Sequence, residues 1–304
     1  MAASLRLGTR ASALARAQAE QVARLLEARH PGLAVELVLI QTSGDRMQRG
    51  PVPAAGLKGL FIKEIEEAIA RGRVDLGVHS MKDLPAHLAP GLVLGAVPSR
   101  ADARDVLVGG PSGGIRALPA GSRVGTSSVR RRAQLLAIRR DLTVVPLRGN
   151  VDTRLGRLQG GELDAIILAA AGLARLGVTE PPMQPISPDD LLPAIGQGAL
   201  ALECRADDGG TREMLAAIED PVAAAAAAAE RSFLAAIGGD CNTPLAAYAE
   251  VAGGRLTLRA LVTDTEGRER IVTSRMGTVA DAPALGREAA AELLASGAGR
   301  LLGR

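Results

Sequence analysis

The chain has 304 residues, 47 % of them hydrophobic, and is long enough for two or three domains that each bury a core. Its formal net charge is only +3, which argues against a uniformly basic surface. The aromatic residues are two Phe and one Tyr, with no Trp. Proteins that bind single-stranded nucleic acid usually stack bases on aromatic side chains, so this composition disfavours that function and favours a small anionic ligand.

The sequence also shows no pattern typical of a membrane-spanning helix or of a signal peptide. No stretch reaches the ~18 uninterrupted apolar residues that a membrane-spanning helix needs, and residues 1–10 lack the apolar core of a signal peptide. We therefore expect a cytoplasmic protein without membrane contact. In a reducing cytoplasm, Cys204 and Cys241 are not expected to form a structural disulfide.

The first predicted elements recur later in the chain. Residues 5–12 predict a strand and a Gly-Thr turn before an Ala/Leu-rich helix, and residues 124–128 lead into a similar helix. In the same order, residues 72–78 resemble residues 161–167, each an apolar strand after a predicted helix. Alternating strands and helices predict parallel sheets covered on both faces, and their repetition predicts two similar α/β lobes. Ligands of such folds bind beyond the carboxyl ends of strands, so we expect an interlobe cleft. The residues predicted to line it are Arg10, Ser12, Ser127, Arg130 and Arg131.

Two segments between these repeats could take part in function. Residues 44–59 are rich in Gly and Pro and would suit a lid, although 56–61 match no phosphate-loop spacing. Residues 78–85 predict a strand that ends in a polar turn closed by proline, and we interpret Asp83 as a candidate catalytic carboxylate beside Lys82. The alternative is an ordinary turn in which the two side chains pair.

The segment from Arg116 to Arg157 contains ten arginines, no lysine and two carboxylates. Ser128 is a predicted N-cap, and three arginines follow in the first turn of the helix. Cations there oppose the helix macrodipole, so a carboxylate or phosphate ligand would stabilise this end. The alternative is a solvated basic helix face.

The last third of the chain changes pattern. An Ala-rich helix from residue 223 ends at Gly238, and predicted strands at 246–251, 255–263 and 268–275 precede a predicted helix at 282–302. Successive strands predict an antiparallel sheet in a separate small α+β domain. Cys241 lies in the Gly-rich loop between these elements and is a candidate nucleophile or attachment point, whereas Cys204 reads as a core residue. The alternative is a neutral loop cysteine, because no His or metal-spaced partner is near in sequence.

Seven motifs in order along the chain resemble one family. They are Leu-Gly-Thr-Arg-Ala-Ser at 7–12, Lys-Gly-Leu-Phe at 58–61, Val-His-Ser-Met-Lys-Asp at 78–83, Val-Gly-Thr-Ser-Ser at 124–128, Leu-Arg-Gly-Asn-Val at 147–151, Ala-Ile-Ile-Leu-Ala-Ala-Ala-Gly-Leu at 165–173 and Gly-Gln-Gly at 196–198. The chain resembles the porphobilinogen deaminases, also called hydroxymethylbilane synthases. The resemblance implies two doubly wound lobes like those of periplasmic binding proteins and a smaller α+β C-terminal domain with a three-stranded antiparallel sheet. The implied domains are 1–98 with 199–216, 104–192 and 221–304.

The resemblance also implies a reaction and a site. Family members condense four porphobilinogen molecules head to tail with loss of ammonia, then hydrolyse the chain to release hydroxymethylbilane for tetrapyrrole biosynthesis. A dipyrromethane cofactor is bound covalently through the position of Cys241, and Asp83 matches the catalytic carboxylate. Residues matching cofactor-binding positions are Lys82, Asp83, Thr126, Ser127, Ser128, Arg130 and Arg131. Residues matching substrate-binding positions are Arg10, Ser12, Lys58, Phe61, Arg148, Arg154, Arg175 and Gln197.

The chain departs from many relatives at two positions. Ala54 stands where a lysine is common, which would weaken the grip of the lid, and Asp240 precedes Cys241, which would tend to raise the pKa of the thiol. We expect a monomer that binds no metal and no nucleic acid. The main alternative function is a solute-binding or regulatory module that closes on a dicarboxylate without chemistry; it predicts no covalent adduct and no need for Asp83.

Overall fold

The computed structural model describes residues 4–43, 62–239 and 243–304. The chain divides into two compact units, Met1–Arg100 with Ala199–Ala224 and Ala101–Gly198 with Ala225–Arg304. The second unit contains both an α/β sheet and the C-terminal three-stranded sheet. The finer division into three domains stays a prediction.

Strands and helices alternate over most of the chain before three consecutive strands near its end. The strands are β1 (Ser4–Thr9), β2 (Ala34–Leu39), β3 (Leu76–Ser80), β4 (Leu92–Ala96), β5 (Asp105–Gly109), β6 (Arg123–Gly125), β7 (Thr143–Val145), β8 (Ala165–Ala169), β9 (Met183–Pro185), β10 (Leu200–Arg205), β11 (Leu245–Ala252), β12 (Arg255–Thr263) and β13 (Arg270–Thr278). The helices are α1 (Ala13–Arg29), α2 (Lys63–Ala70), α3 (Val129–Ile138), α4 (Val151–Gln159), α5 (Ala170–Arg175), α6 (Gly209–Ala216), α7 (Pro221–Ile237), α8 (Ala282–Ala295) and α9 (Ala298–Leu301).

The two units contain five-stranded sheets with the same arrangement. The first sheet has the order β2-β1-β3-β10-β4 and the second has the order β7-β6-β8-β5-β9. In each, the second strand pairs in parallel with both of its neighbours. Each unit also contains an equivalent ion pair, Arg6 with Asp75 in the first unit and Arg123 with Asp164 in the second. The predicted internal repeat and the predicted pair of α/β lobes are therefore confirmed.

The expectation of parallel sheets holds for only part of each sheet. Strand β10 runs antiparallel to β3 and β4, and β5 runs antiparallel to β8 and β9. A crossover helix forces a parallel partner only on strands that are consecutive in a βαβ unit. Each antiparallel strand enters its sheet from elsewhere in the chain, so its direction is not constrained in that way.

Helices cover both faces of each sheet. In the first unit, Leu26 of α1 packs in one cluster with Leu7 and Leu202, while Ile65 and Ile69 of α2 belong to a second cluster. The second unit likewise has two clusters, one formed with α3 and the other with α4 and α5. Full burial of each large aliphatic side chain contributes about 1.5–3 kcal/mol, so these clusters hold the strand ends in place.

The C-terminal sheet is antiparallel in the order β11-β12-β13, which confirms the three predicted strands to within a few residues. Residues 282–302 form two helices rather than one, because Gly297 interrupts them with φ +91°. Among the described residues, no helix has the length and apolar character required to cross a bilayer.

Candidate active site

The polar turn after β1 is built around two hydroxyl groups. Ser12 is the N-cap of α1, and its Oγ accepts a hydrogen bond from the backbone N–H of Ala15 at 3.3 Å. Thr9 is buried and donates from Oγ1 to the Ala15 carbonyl at 3.1 Å. Arg10 and Ser12 are half-buried at the carboxyl end of the strand. Both hold the position expected for ligand-binding groups of an α/β lobe.

The turn that carries Lys82 and Asp83 is anchored on both sides. Residues Met81–Asp83 form one 3-10 turn directly after β3, and the flanking Met81 and Leu84 side chains are buried. Ser80 accepts a hydrogen bond from the Gln18 amide at 2.8 Å. Lys82 is half-buried and Asp83 is exposed. Two buried apolar anchors leave a carboxylate at the surface on a fixed backbone.

His79 is a packed residue of β3. Its side chain is buried, and Nε2 lies 3.1 Å from a carboxylate oxygen of the fully buried Glu203, although not in hydrogen-bond geometry. Burial, followed by the charge of Glu203, raises the pKa of the nearby Glu66. The sequence analysis did not identify Glu203 as a buried carboxylate. A signal existed, since Glu203 interrupts the otherwise apolar start of β10.

The turn after β6 repeats the hydroxyl capping seen after β1. Ser128 is the N-cap of α3, and its Oγ accepts from the backbone N–H of Arg131 at 3.4 Å. Thr126 is buried and its Oγ1 accepts from the backbone N–H of Ser128 at 3.2 Å. Ser127 lies exposed between them. The predicted N-cap is confirmed.

The first two arginines of α3 are buried and share one carboxylate. Asp105, at the start of β5, lies 2.8 Å from the guanidinium of Arg130 and 2.6 Å from that of Arg131. Gln197 also donates to Asp105, at 2.9 Å. An internal carboxylate therefore balances one of the two charges at this helix end, and the alternative of a solvated basic face does not hold for these two side chains, which are buried. Their roles toward ligands stay predictions.

The electrostatics of this cluster are strongly coupled. Burial by itself would raise the pKa of Asp105, but the charges and hydrogen bonds of the two guanidinium groups outweigh it and hold that pKa well below its ordinary value. Arg130 also donates to the Leu192 carbonyl at 2.6 Å and Arg131 to the Ile167 carbonyl at 2.9 Å. The three charged side chains together keep one net positive charge in a dry environment, where it attracts an anion more strongly than at the surface.

The other predicted ligand residues of the second unit make different contacts. Arg148 is exposed, and the half-buried Arg154 donates to the Gly149 carbonyl at 2.8 Å. Arg175 donates to the Gly198 carbonyl at 2.8 Å, and burial lowers its pKa. Gln197 is buried and also donates to the Ala103 carbonyl at 2.7 Å. The Gly-Gln-Gly motif at 196–198 therefore contacts both Arg175 and the Asp105 cluster.

Some predictions fall on residues outside the described ranges. These are Lys58, Phe61, the lid at 44–59, Asp240 and Cys241. The other cysteine, Cys204, is fully buried in the core of the first unit, where burial raises the pKa of its thiol. In the described part of the chain, no group of three or more His, Cys, Asp or Glu side chains could hold a metal ion.

Two family models match the chain. Residues 5–213 match "Porphobilinogen deaminase, dipyromethane cofactor binding domain" and residues 224–295 match "Porphobilinogen deaminase, C-terminal domain". A curated relative named porphobilinogen deaminase from Syntrophotalea carbinolica is 50 % identical over 98 % of this chain and 95 % of that protein. Another from Roseiflexus castenholzii is 50 % identical over 98 % of each chain.

The solved structures with a similar fold are more distant. A periplasmic binding protein from Salmonella typhimurium matches with a TM-score of 0.40 and 16 % identity, over 73 % of this chain and 94 % of that one. This similarity is too low to support a conclusion about function.

Proposed function

The chain belongs to the porphobilinogen deaminase family, and from this premise we propose that two polar turns carry its chemistry, the Met81–Asp83 turn and the turn at 125–128. The family is one of transferases in tetrapyrrole biosynthesis, and its cofactor is a dipyrromethane. Porphobilinogen is the substrate that this membership implies.

The proposed reaction joins four porphobilinogen molecules head to tail, with loss of ammonia at each step, and ends with hydrolysis to hydroxymethylbilane. Each pyrrole carries an acetate and a propionate, so the chain gains two negative charges with each addition. A cationic binding surface is therefore needed throughout elongation. Seven of the ten arginines between Arg116 and Arg157 are in ion pairs within the described residues, so the segment as a whole is not an open cationic surface. The proposal is supported instead by the exposed Arg148 and by the net positive charge that Arg130 and Arg131 keep beside Asp105.

The cysteines allow a test of whether the residues present fit the cofactor. Cys204 is enclosed by apolar side chains with a raised thiol pKa, so it is neither accessible nor readily ionised. This leaves Cys241 as the proposed attachment residue. When bound, the dipyrromethane supplies the pyrrole terminus to which the first substrate is joined.

We assign the catalytic role to Asp83. A cation forms on the substrate pyrrole when ammonia leaves, and a carboxylate at a fixed position stabilises it without reorganisation at that moment. The buried Met81 and Leu84 fix the backbone on either side, which satisfies the requirement for a preorganised group. Lys82, adjacent and half-buried, is proposed to bind a substrate or cofactor carboxylate.

The remaining predicted residues are assigned to carboxylate binding. Guanidinium groups suit this task because each can donate two parallel hydrogen bonds to a carboxylate. The proposed carboxylate-binding residues are Arg10, Ser12, Lys58, Thr126, Ser127, Ser128, Arg130, Arg131, Arg148, Arg154 and Arg175. Phe61 is proposed to contact the substrate, and Gln197 is proposed to act with the Asp105 cluster through its hydrogen bond.

The observation that carries the assignment of Asp83 is its exposed carboxylate on a turn anchored by two buried side chains. The first test is the intact mass of the purified protein, followed by peptide mapping. We expect a surplus of two pyrrole units on the peptide that contains Cys241. An unmodified chain that also fails to take up porphobilinogen would instead support the solute-binding alternative.

Cytoplasmic location, the monomeric state and the absence of nucleic-acid and membrane partners are part of the same proposal. Size-exclusion chromatography with light scattering would test the monomer, with an expected mass near the 31.1 kDa of the chain. Restoring the residue common in relatives, by Ala54→Lys, is expected to strengthen substrate binding. Asp240→Gly is expected to speed cofactor attachment, because removing the carboxylate lowers the thiol pKa.

A further inference from the structure

The turn between β12 and β13 is organised by one carboxylate. Asp264 Oδ1 accepts from the backbone N–H of Glu266 at 2.7 Å, and its Oδ2 accepts from that of Glu269 at 2.8 Å. Burial by itself would raise the pKa of Asp264, but these backbone donors outweigh it and lower the pKa. The segment, called here the 264–269 turn, is a defined structure rather than a variable loop.

The tip of the 264–269 turn lies against the backbone of α3. A Cβ atom placed on Gly267 would lie 2.0 Å from the Ala133 carbonyl oxygen and 2.9 Å from the Ala137 backbone nitrogen. No flexible side chain could move away to relieve this overlap, because both atoms belong to the helix backbone. Only glycine allows the observed approach.

A charged contact lies beside the backbone contact. Both Glu266 carboxylate oxygens accept from the Arg132 guanidinium, at 3.0 and 2.8 Å. Arg132 is the third arginine of α3, directly after Arg130 and Arg131, which bind Asp105. Asp105 and the 264–269 turn therefore bind consecutive residues of one helical turn.

A cavity lies beside this contact. Its volume is about 550 Å³, with Gln134 and Ala137 of α3 on one side and Ala260 and Val272 of the C-terminal sheet on another. The close approach of this sheet to α3 is therefore made at the 264–269 turn rather than across the whole sheet face.

We propose that the 264–269 turn sets the position of Arg130 and Arg131, with Gly267 and Glu266 as positioning residues for the carboxylate-binding site. The proposal rests on the proposed function for the role of the two arginines. It connects the C-terminal sheet, which directly follows Cys241 in the chain, to the helix that is proposed to bind the pyrrole carboxylates. A displaced helix would move both guanidinium groups away from their productive geometry.

The test compares two glycines in the same sheet. Gly267 and Gly253 have φ values of +64° and +56°, but a Cβ on Gly253 would meet nothing within 4 Å. Gly267→Ala and Gly253→Ala therefore introduce similar backbone strain, and only the first pushes against α3. The first measurement is the hydrogen-exchange rate of the Arg131 Nε–H, which donates to Asp105 at 3.1 Å. NMR spectroscopy of the full chain measures this rate.

We expect Gly267→Ala to accelerate that exchange by about tenfold or more and to lower kcat/KM for porphobilinogen by about tenfold or more, since small misplacements have large kinetic effects. Gly253→Ala is expected to change each by less than about twofold, because its added methyl meets no neighbour. Equal exchange rates in the two variants would overturn the proposal. A wild-type protein without dipyrromethane or turnover would overturn the proposed function instead, and the exchange comparison would still stand.

A second pair of variants keeps the test decisive if Gly267→Ala does not fold. Glu266→Gln removes the charge that binds Arg132, while Glu250→Gln removes a comparable exposed partner of Arg259 on the same sheet. Glu266→Gln is expected to accelerate Arg131 Nε–H exchange by about two- to fivefold, the range for an exposed ion pair. Glu250→Gln is expected to leave the exchange rate unchanged. The same rate in both variants would contradict the proposal.

Discussion

The two α/β units share a framework but place their charged groups differently. Ser12 and Ser128 cap equivalent helices. The second and third residues after the cap are Leu14 and Ala15 in the first unit but Arg130 and Arg131 in the second. At the end of the third strand the difference is reversed. The first unit has Lys82 and Asp83 there, and the matching positions of the second unit are Ala171 and Gly172.

This contrast indicates a division of tasks on a repeated scaffold. The capping hydroxyls and the order of the strands are common to both units, so they belong to the fold. The carboxylate turn belongs to the first unit and the buried arginine pair to the second, so these are the positions at which the proposed function was added. Four predictions test this division, beginning with the largest expected effect.

Removing the carboxylate of the first unit should nearly abolish turnover. Asp83→Ala is expected to lower kcat by about 10²–10³ or more, as the loss of one preorganised charged group in a site does. The folded structure should remain, because Asp83 is exposed. Asp207, another exposed aspartate of the same unit, provides the control, and Asp207→Ala should retain full activity. Near-normal turnover of Asp83→Ala would refute its catalytic role.

Removing the counter-ion of the second unit should destabilise the protein. Asp105→Asn leaves two guanidinium groups buried without their carboxylate, which typically costs about 3–5 kcal/mol. Urea unfolding of both proteins at pH 7 measures this difference. The pKa of Asp105 is lower in the folded protein than in the unfolded chain. The stability that its ionised form contributes is therefore fully present above the unfolded pKa of about 3.9 and is lost as the pH falls from there through the folded pKa. The two proteins should therefore become similar in stability under acid conditions, and a constant difference would contradict the assignment.

Two arginines of the second unit should separate binding from stability. Arg148 is exposed, so Arg148→Leu is expected to raise the KM for porphobilinogen about tenfold while the unfolding midpoint stays unchanged. Arg131 is buried against Asp105, so Arg131→Leu should lower stability as well as binding. Circular dichroism melting beside steady-state kinetics distinguishes the two outcomes. An unfolded Arg148→Leu protein would contradict a pure ligand role.

The smallest effect is expected at the buried carboxylate of the first unit. Glu203 lies in β10, the counterpart of β5, but neither of its oxygens has a hydrogen-bond partner in the described part of the chain, and its charge helps to raise the pKa of Glu66. Glu203→Gln should therefore change the free energy of unfolding by no more than about 1 kcal/mol. A loss as large as that of Asp105→Asn would show that the two buried carboxylates are equivalent after all.

Much of this molecule follows from local patterns in the chain. The caps at Ser12 and Ser128, the internal repeat and the three C-terminal strands depend on turn chemistry and on periodicity within about ten residues. The packed His79 and Cys204 follow from their apolar strand surroundings. The motif at 78–83 likewise indicates the Asp83 turn, because a polar segment after a buried strand is visible without any structure.

The charge balance of the site could not be predicted in this way. Asp105 binds Arg130 and Arg131 from a position about 25 residues earlier in the chain, on an antiparallel strand that the alternating pattern does not indicate. Glu266 and Gly267 contact α3 from more than 100 residues away. Sequence by itself determined which elements form and which turns are polar, since those depend on neighbours along the chain. Only tertiary structure decided which cations are neutralised and what contacts the arginine helix, because Coulomb and packing energies depend on distances in space.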